Sequence, residues 1–272
     1  GGKYRINARA TAPLRKSSKV TSLSFDVIDG DRSATAEYKA MLRKSIVRTT
    51  GWFAIASYLI TKMNYQGVNA DNLGFNSLRV SLPDNLGGTG RIGAGYLSDQ
   101  SPWGFLGVVD MSGFIVEDKK PTFATVEVNG VHRMVVGADG EFRQQFGVFY
   151  KEIPEIIAYN LNRIDRIDKI IAAGPHYGVE YWLAMSPKLG LQVNAHLYAS
   201  SVSIKTPNGN AVKPSMSYQL GLLGSYRFSE KGTGLLGYAY RDDSLSYEST
   251  SGRKNSVNIT GHYLNLFLEW AL

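Results

Sequence analysis

Cysteine is absent from all 272 residues, which rules out disulfides and thiolate metal sites and suits an oxidising envelope. No window approaches the roughly 18 consecutive apolar residues that a spanning helix needs. No long run of 3.6-residue periodicity survives either, beyond short helical readings of 34–47 and 152–168. Strong hydropathy is also missing. Apolar residues make up 43% of the chain and the mean hydropathy is slightly negative. These absences exclude a helical membrane protein but not a membrane β-barrel, whose strands alternate lipid-facing and lumen-facing residues. No signal peptide is visible, and the Gly-Gly start is read here as the expected look of a processed or engineered end. What the chain does hold is glycine (29), tyrosine (16) and a formal charge of +7.

Its dominant pattern is a period of two. In 216–228, Met216, Tyr218, Leu220, Leu222, Gly224, Tyr226 and Phe228 fall on one parity. Ser217, Gln219, Gly221, Ser225 and Arg227 fall on the other, with Leu223 the one exception. Similar strands cover 175–186, 189–204, 233–247 and 256–272. The connections between them alternate in length: "SPK" and "SEKG" are tight, "KTPNGNAVKP" and "STSGRKN" long. Toward the N-terminus, strands are predicted at 3–12, 18–29, 33–47, 51–65, 103–117, 122–137 and 141–151. A hairpin around "PDNLGG" joins 74–82 to 89–98. Segment 51–65 is apolar on both faces, so its register is ambiguous. The total is fourteen strands, or twelve without 3–12 and 74–82. The runs are longer than the roughly five to six residues of soluble sandwich strands, and their polar faces hold Ser, Asn, Gln, Gly and Arg rather than Lys and Glu. The expectation is all-β: one antiparallel, up-and-down transmembrane β-barrel over 1–272, with short turns at one end and longer loops at the other. Tyr218, Tyr226, Phe228, Tyr238 and Tyr240 are candidates for its interfacial aromatic girdles. Ile157, Leu161 and Ile164 are spaced for a short amphipathic helix, so 152–168 is read as a folded loop at or in the barrel mouth, with a cap or a strand extension as the plainer alternatives.

In the last strand, Gly261, Leu264, Leu266, Leu268 and Trp270 match the assembly signal of bacterial outer-membrane β-barrels, although the chain ends "WAL" where Phe or Trp is usual. The whole chain resembles such proteins of the porin-like kind. The resemblance implies an integral place in the bacterial outer membrane, short turns on the periplasmic side and long loops outside. It also implies contact with the bilayer and lipopolysaccharide, and recognition of the C-terminal strand by the barrel-assembly machinery. A homo-oligomer or an envelope protein partner is compatible with it; nucleic acid is not expected.

Fixing the wet face selects the interior. Arg5, Arg9, Lys39, Arg43, Arg79, Arg91, Arg143 and Arg227 are read as inward, against Asp26, Glu37, Asp110, Glu180 and Glu269. Arg43, Arg91, Arg143, Glu180, Arg227, His176 and His196 are the pore-lining candidates. A net basic lumen would favour anions; cross-strand pairing and phosphate contacts at the outer rim are the alternatives. Pairing across "SPK" sets His176 and Glu180 beside Tyr198 and Asn194, with His196 diagonal to both, a set that fits a hydrogen-bonded network better than a metal site. No catalytic constellation emerges: none of the four histidines has an outer-membrane phospholipase pattern, and Asp242 and Asp243 point to opposite faces. "GGTGRIGAG" at 87–95 leads into no helix, so it is no nucleotide loop. The expected function is a pore for passive diffusion of small polar solutes, without a cofactor. The alternative is a closed barrel that anchors or scaffolds a surface assembly or acts as an adhesin. Lumen filling separates the two, and Phe149, Trp182, Tyr198, Tyr263 and Phe267 are the bulky inward candidates.

Overall fold

The computed structural model describes residues 3–8, 21–26, 50–69, 78–115, 119–137, 139–160, 163–206, 212–248 and 253–272. Strands β1 (Lys3–Ala8) and β2 (Thr21–Asp26) pair with each other as a separate two-stranded sheet. The others are β3 (Gly51–Asn69), β4 (Leu78–Leu97), β5 (Trp103–Phe114), β6 (Thr122–Val136), β7 (Gly140–Asn160), β8 (Arg163–Ala184), β9 (Leu189–Ser200), β10 (Val202–Lys205), β11 (Val212–Lys213), β12 (Ser215–Arg227), β13 (Gly232–Glu248) and β14 (Lys254–Ala271). The order β8-β7-β6-β5-β4-β3-β14-β13-β12-β9 closes when β9 pairs back onto β8, so ten antiparallel strands form a ring. Outside that ring order, β10 continues past β9 along β8, and β11 precedes β12 along β13.

Ten strands replace the fourteen or twelve expected. Of segments 3–12 and 18–29, the described parts 3–8 and 21–26 form the separate pair of strands, and 33–47 lies outside the described residues. Residues 78–82 and 89–97 are not the two arms of a hairpin: they belong to the single strand β4, and 74–77 lie outside the described residues. The "PDN" signal is a bulge there. The register with β3 shifts between Met63 and Tyr65, and Asp84 takes φ 56°, in the left-handed region that Asp tolerates. The Asp84 N–H donates to Asn64 Oδ1 at 2.9 Å, and the Asn85 amide donates to the carbonyls of Leu82 (2.7 Å) and Met63 (3.3 Å). One extra residue flips the parity of the strand beyond it. Val80 is therefore buried, and Arg79, expected inside, is exposed.

Four short connections, at 98–102, 137–139, 185–188 and 228–231, lie at one end, beside Gly51 and Leu272. Apart from those between β7 and β8 and between β13 and β14, the connections at the other end are longer, which the loop-length rule reads as the extracellular end. The outward faces locate the membrane. On β3, Trp52, Ala54, Ala56, Tyr58 and Ile60 point out and are followed by Lys62, Asn64 and Gln66. On β14, Trp270, Leu268, Leu266 and Leu264 are followed by His262, Thr260, Asn258 and Ser256. The inward faces switch the opposite way. Ser57, Thr61 and Asn265 give way to Met63, Tyr65, Ile259 and Val257 in an upper apolar cluster. Outside, the lower part of these strands is apolar and the upper part polar; inside, a polar layer lies between a lower apolar group and the larger upper one. Trp270 and His262, eight residues apart on β14, bound the lipid-facing belt, about 20 Å of height at a tilt of roughly 40°. Aromatic pairs mark both edges: Trp52 with Tyr96 and Phe105 (5.5 Å each) and Phe228 with Trp270 (6.0 Å) below, Tyr218 with Tyr240 (6.0 Å) above. Tyr226 and Tyr238 also face out, as expected of girdle residues.

Segment 152–168 forms the end of the β7–β8 hairpin rather than a helix, because the ladder continues from Glu152↔Ile171 to Asn160↔Arg163 and satisfies the backbone. Two register shifts between Ile156 and Tyr159 bend it. Its contacts reach strands across the ring: the Ile156 N–H donates to Tyr65 Oη on β3 (2.9 Å), and Tyr247 Oη on β13 donates to the Glu155 carboxylate (2.7 Å). Ile153, Pro154, Glu155 and Ile156 are buried in succession, so the hairpin covers the mouth.

Candidate functional site: the barrel interior

At mid-height inward positions of β4, β5, β6, β7, β8, β9 and β13 converge on a polar layer. Alternation puts Arg91 on β4 and Asp110 on β5 in directly paired positions, and they form a two-pronged ion pair with both bonds at 2.7 Å. Arg241 lies 3.6 Å from the same carboxylate and 2.7 Å from Asp243 on its own strand. Lys151 of β7 donates to Asp243 at 2.5 Å and sits 4.4 Å over the Tyr198 ring. Tyr198 Oη donates to Glu127 at 2.9 Å.

Next to this group the β8–β9 pairing sets His176 opposite Tyr198, Gly178 opposite His196 and Glu180 opposite Asn194, the arrangement the "SPK" turn predicts. Gly178 gives the His196 ring its room: a Cβ there would lie 2.7 Å from Nδ1. The His176 and His196 rings stack with planes 6° apart. In neutral rings the His176 Nδ1–H donates to Asn129 Oδ1 (2.7 Å), so its Nε2 accepts from the His196 Nδ1–H (3.1 Å). Glu180 accepts from the Gln145 amide (2.7 Å) and the Trp182 indole (3.0 Å), with Arg143 at 3.7 Å. Arg143 also bonds Glu141 and covers the Trp182 face at 4.6 Å. No group of three metal-binding side chains occurs among the described residues.

Arg91 thus belongs to the first group, His176 and His196 adjoin it where His176 Nδ1 lies 4.0 Å from Glu127, and Arg143 and Glu180 form a second group. Arg227 is apart, at the lower rim, where it donates to the carbonyls of Ser229 (3.2 Å) and Glu230 (2.7 Å). Arg9, Lys39, Arg43 and Glu37 lie outside the described residues; Arg5 and Asp26 belong to the separate pair of strands. The net basic lumen is not found among the described residues, because Arg91, Arg143, Lys151 and Arg241 face Asp110, Glu127, Glu141, Glu180 and Asp243. Sequence reasoning missed Glu127, Glu141, Lys151 and Arg241. The signal was present: Thr125, Glu127 and Asn129 share one parity, as do Glu141, Arg143, Gln145 and Lys151. Asp243 enters the network, whereas Asp242 faces out and accepts from Ser244 (2.7 Å) and Asn258 (2.8 Å).

Apolar layers close the interior on both sides. Above lies the cluster of Met63, Tyr65, Phe114, Phe123, Ile153 and Ile170 with its neighbours. Below are Phe53, Ile55, Leu97, Leu106, Val108 and Val131, and a smaller group around Trp182 and Leu223, with Phe267 touching both.

No protein-family model matches the sequence, and no curated protein matches it. Among solved structures, the outer membrane protease OmpT from Escherichia coli is similar at 9% identity, covering 82% of this chain and 97% of that one, with a TM-score of 0.45. The β domain of the Bordetella autotransporter Brka is similar at 10% identity, 82% and 99% coverage and a TM-score of 0.40. Neisserial surface protein A is similar at 10% identity, 82% and 98% coverage and a TM-score of 0.35. On its own geometry, a closed antiparallel ring with an apolar outer belt between aromatic edges, the chain is an integral outer-membrane β-barrel.

Proposed function

We propose that this barrel is closed and non-conducting, and that its role is structural: it anchors or scaffolds a surface assembly through the wall that rises above the membrane. One observation carries the reading. Asp110, Arg143, Lys151 and Tyr198, at the centre of the lumen, are each 1% exposed. Side chains lining a water-filled path would be wet. Ten strands are also close to the eight or so at which side chains fill a barrel interior completely, and Phe149, Trp182, Tyr198 and Tyr263 all point inward and are buried. The pore reading needs Arg91, Arg143, Glu180, His176 and His196 to stand around open space, whereas their partners occupy it. No step of chemistry is assigned to these residues, and the role needs no enzyme activity.

The test is conductance of the purified, refolded chain in a planar bilayer. A folded barrel giving no stable steps is the expected result. Stable steps with a reversal potential in a salt gradient would overturn the closed reading, and an effect of Arg143→Glu on them would restore the arginine-lined pore.

A further inference from the structure

The outer wall on β3, β13 and β14 carries two features that the filled interior does not use. Lys62 and His262 are directly paired in the β3–β14 register, side by side and exposed where the apolar belt ends. His262 Nδ1 is hydrogen-bonded to the Tyr238 hydroxyl, and its ring lies 5.1 Å from that of Tyr240. In the tautomer whose Nδ1 accepts from Tyr238 the proton sits on Nε2, and the rim then presents an N–H donor beside an ammonium group. Asp242, one step higher on β13, has its carboxylate engaged by Ser244 and Asn258.

Directly below, four residues down both strands, an open apolar groove of ≈ 650 Å³ crosses the lipid-facing wall, within the size range of small-ligand sites. Tyr58, Leu236 and Leu266 form its sides, and Gly90, Gly224 and Gly234 keep its floor low. A Cβ added at Gly90 would meet nothing within 4 Å, so the space belongs to whatever lies against the barrel.

We propose that this wall binds a phosphorylated acyl lipid of the outer leaflet, its phosphate between Lys62 and His262 and a chain running over Ile60 and Leu264 into the groove. The proposal rests on the barrel being embedded in the membrane. A phosphate supplies the acceptors that the two donors lack, and hydrocarbon is the chemistry that matches the groove. Neither feature alone selects this occupant; their alignment on the same two strands does.

The test is native mass spectrometry of the refolded chain released from detergent, offered dimyristoyl phosphatidate and dimyristoyl glycerol in equal amounts. Wild type should retain phosphatidate with about a tenfold preference, the worth of one charge-assisted hydrogen bond. Lys62→Gln with His262→Gln should lose the preference, and Gly90→Leu with Gly234→Leu should lose retention of both lipids. Equal retention of the two lipids by wild type, or wild-type retention in the glycine variant, would overturn the site. Heat-modifiable migration confirms folding of each variant, and Lys62→Gln alone replaces the pair if the double variant stays unfolded. A folded wild-type chain that fails to enter vesicles would instead sink the membrane reading, a separate result.

Discussion

At the residue scale the polar layer is a balance held by few groups, and Asp243 is its centre. Its two oxygens serve Lys151 and Arg241, both buried. Removing a single partner strands charge in a place that water does not reach, whereas removing a pair does not. Asp243→Ala should therefore destabilise the barrel by roughly 3–5 kcal/mol, and Asp243→Leu with Lys151→Met should recover much of that loss. Urea unfolding in lipid vesicles, followed by tryptophan fluorescence, measures both. Equal midpoints for wild type and Asp243→Ala would mean that the network contributes nothing to stability.

At the element scale, β4 shows how one residue sets which way the end of a strand faces. The bulge at Asp84 lets a single strand put Arg91 inside below it and Val80 inside above it. Deleting Asp84 would turn Arg79 inward and Val80 out, at a cost of roughly 3 kcal/mol or more for burying an unpaired charge. Asp84→Gly keeps the bulge, since glycine reaches positive φ without strain, and should unfold at or above the wild-type urea concentration. A deletion as stable as wild type would show that the parity switch is unimportant.

The same switch explains what was legible in the sequence. Strands β8, β9, β12, β13 and β14 were readable because their lipid-facing positions carry Tyr, Leu and Val against Ser, Gln and His over long runs. The His176, Glu180, Tyr198 and His196 juxtaposition followed from one tight turn. β3 was ambiguous for a physical reason: its outward residues are apolar because they face lipid, and its inward Phe53, Ile55, Leu59, Met63 and Tyr65 are apolar because they fill the interior, so both faces look oily. "PDNLGG" misled because a left-handed residue and glycines signal a turn and a bulge alike. The closing contacts of the mouth, from Glu155 to Tyr247 and from Ile156 to Tyr65, join segments about ninety residues apart, which no local pattern reveals.

At the scale of the whole molecule, the reversal of inside and outside predicts a sharp waterline. Because the chain has no cysteine, single cysteines on the outward face of β3 report it without background. In vesicles, Tyr58→Cys and Ile60→Cys should resist a membrane-impermeant maleimide, while Asn64→Cys and Gln66→Cys should react at least tenfold faster, as lipid-covered and water-exposed thiols do. Rapid labelling of Ile60→Cys would place the belt elsewhere.

The ladder does not stop at that waterline. On β14 eight further residues run from His262 to Lys254, paired on both sides for most of their length, which amounts to about 20 Å of height at a tilt of roughly 40°. With an apolar filling and a polar coat, this stretch is a stiff pedestal rather than a fringe of loops. On the closed-barrel proposal, that height is what would hold a bound surface assembly clear of the lipid headgroups.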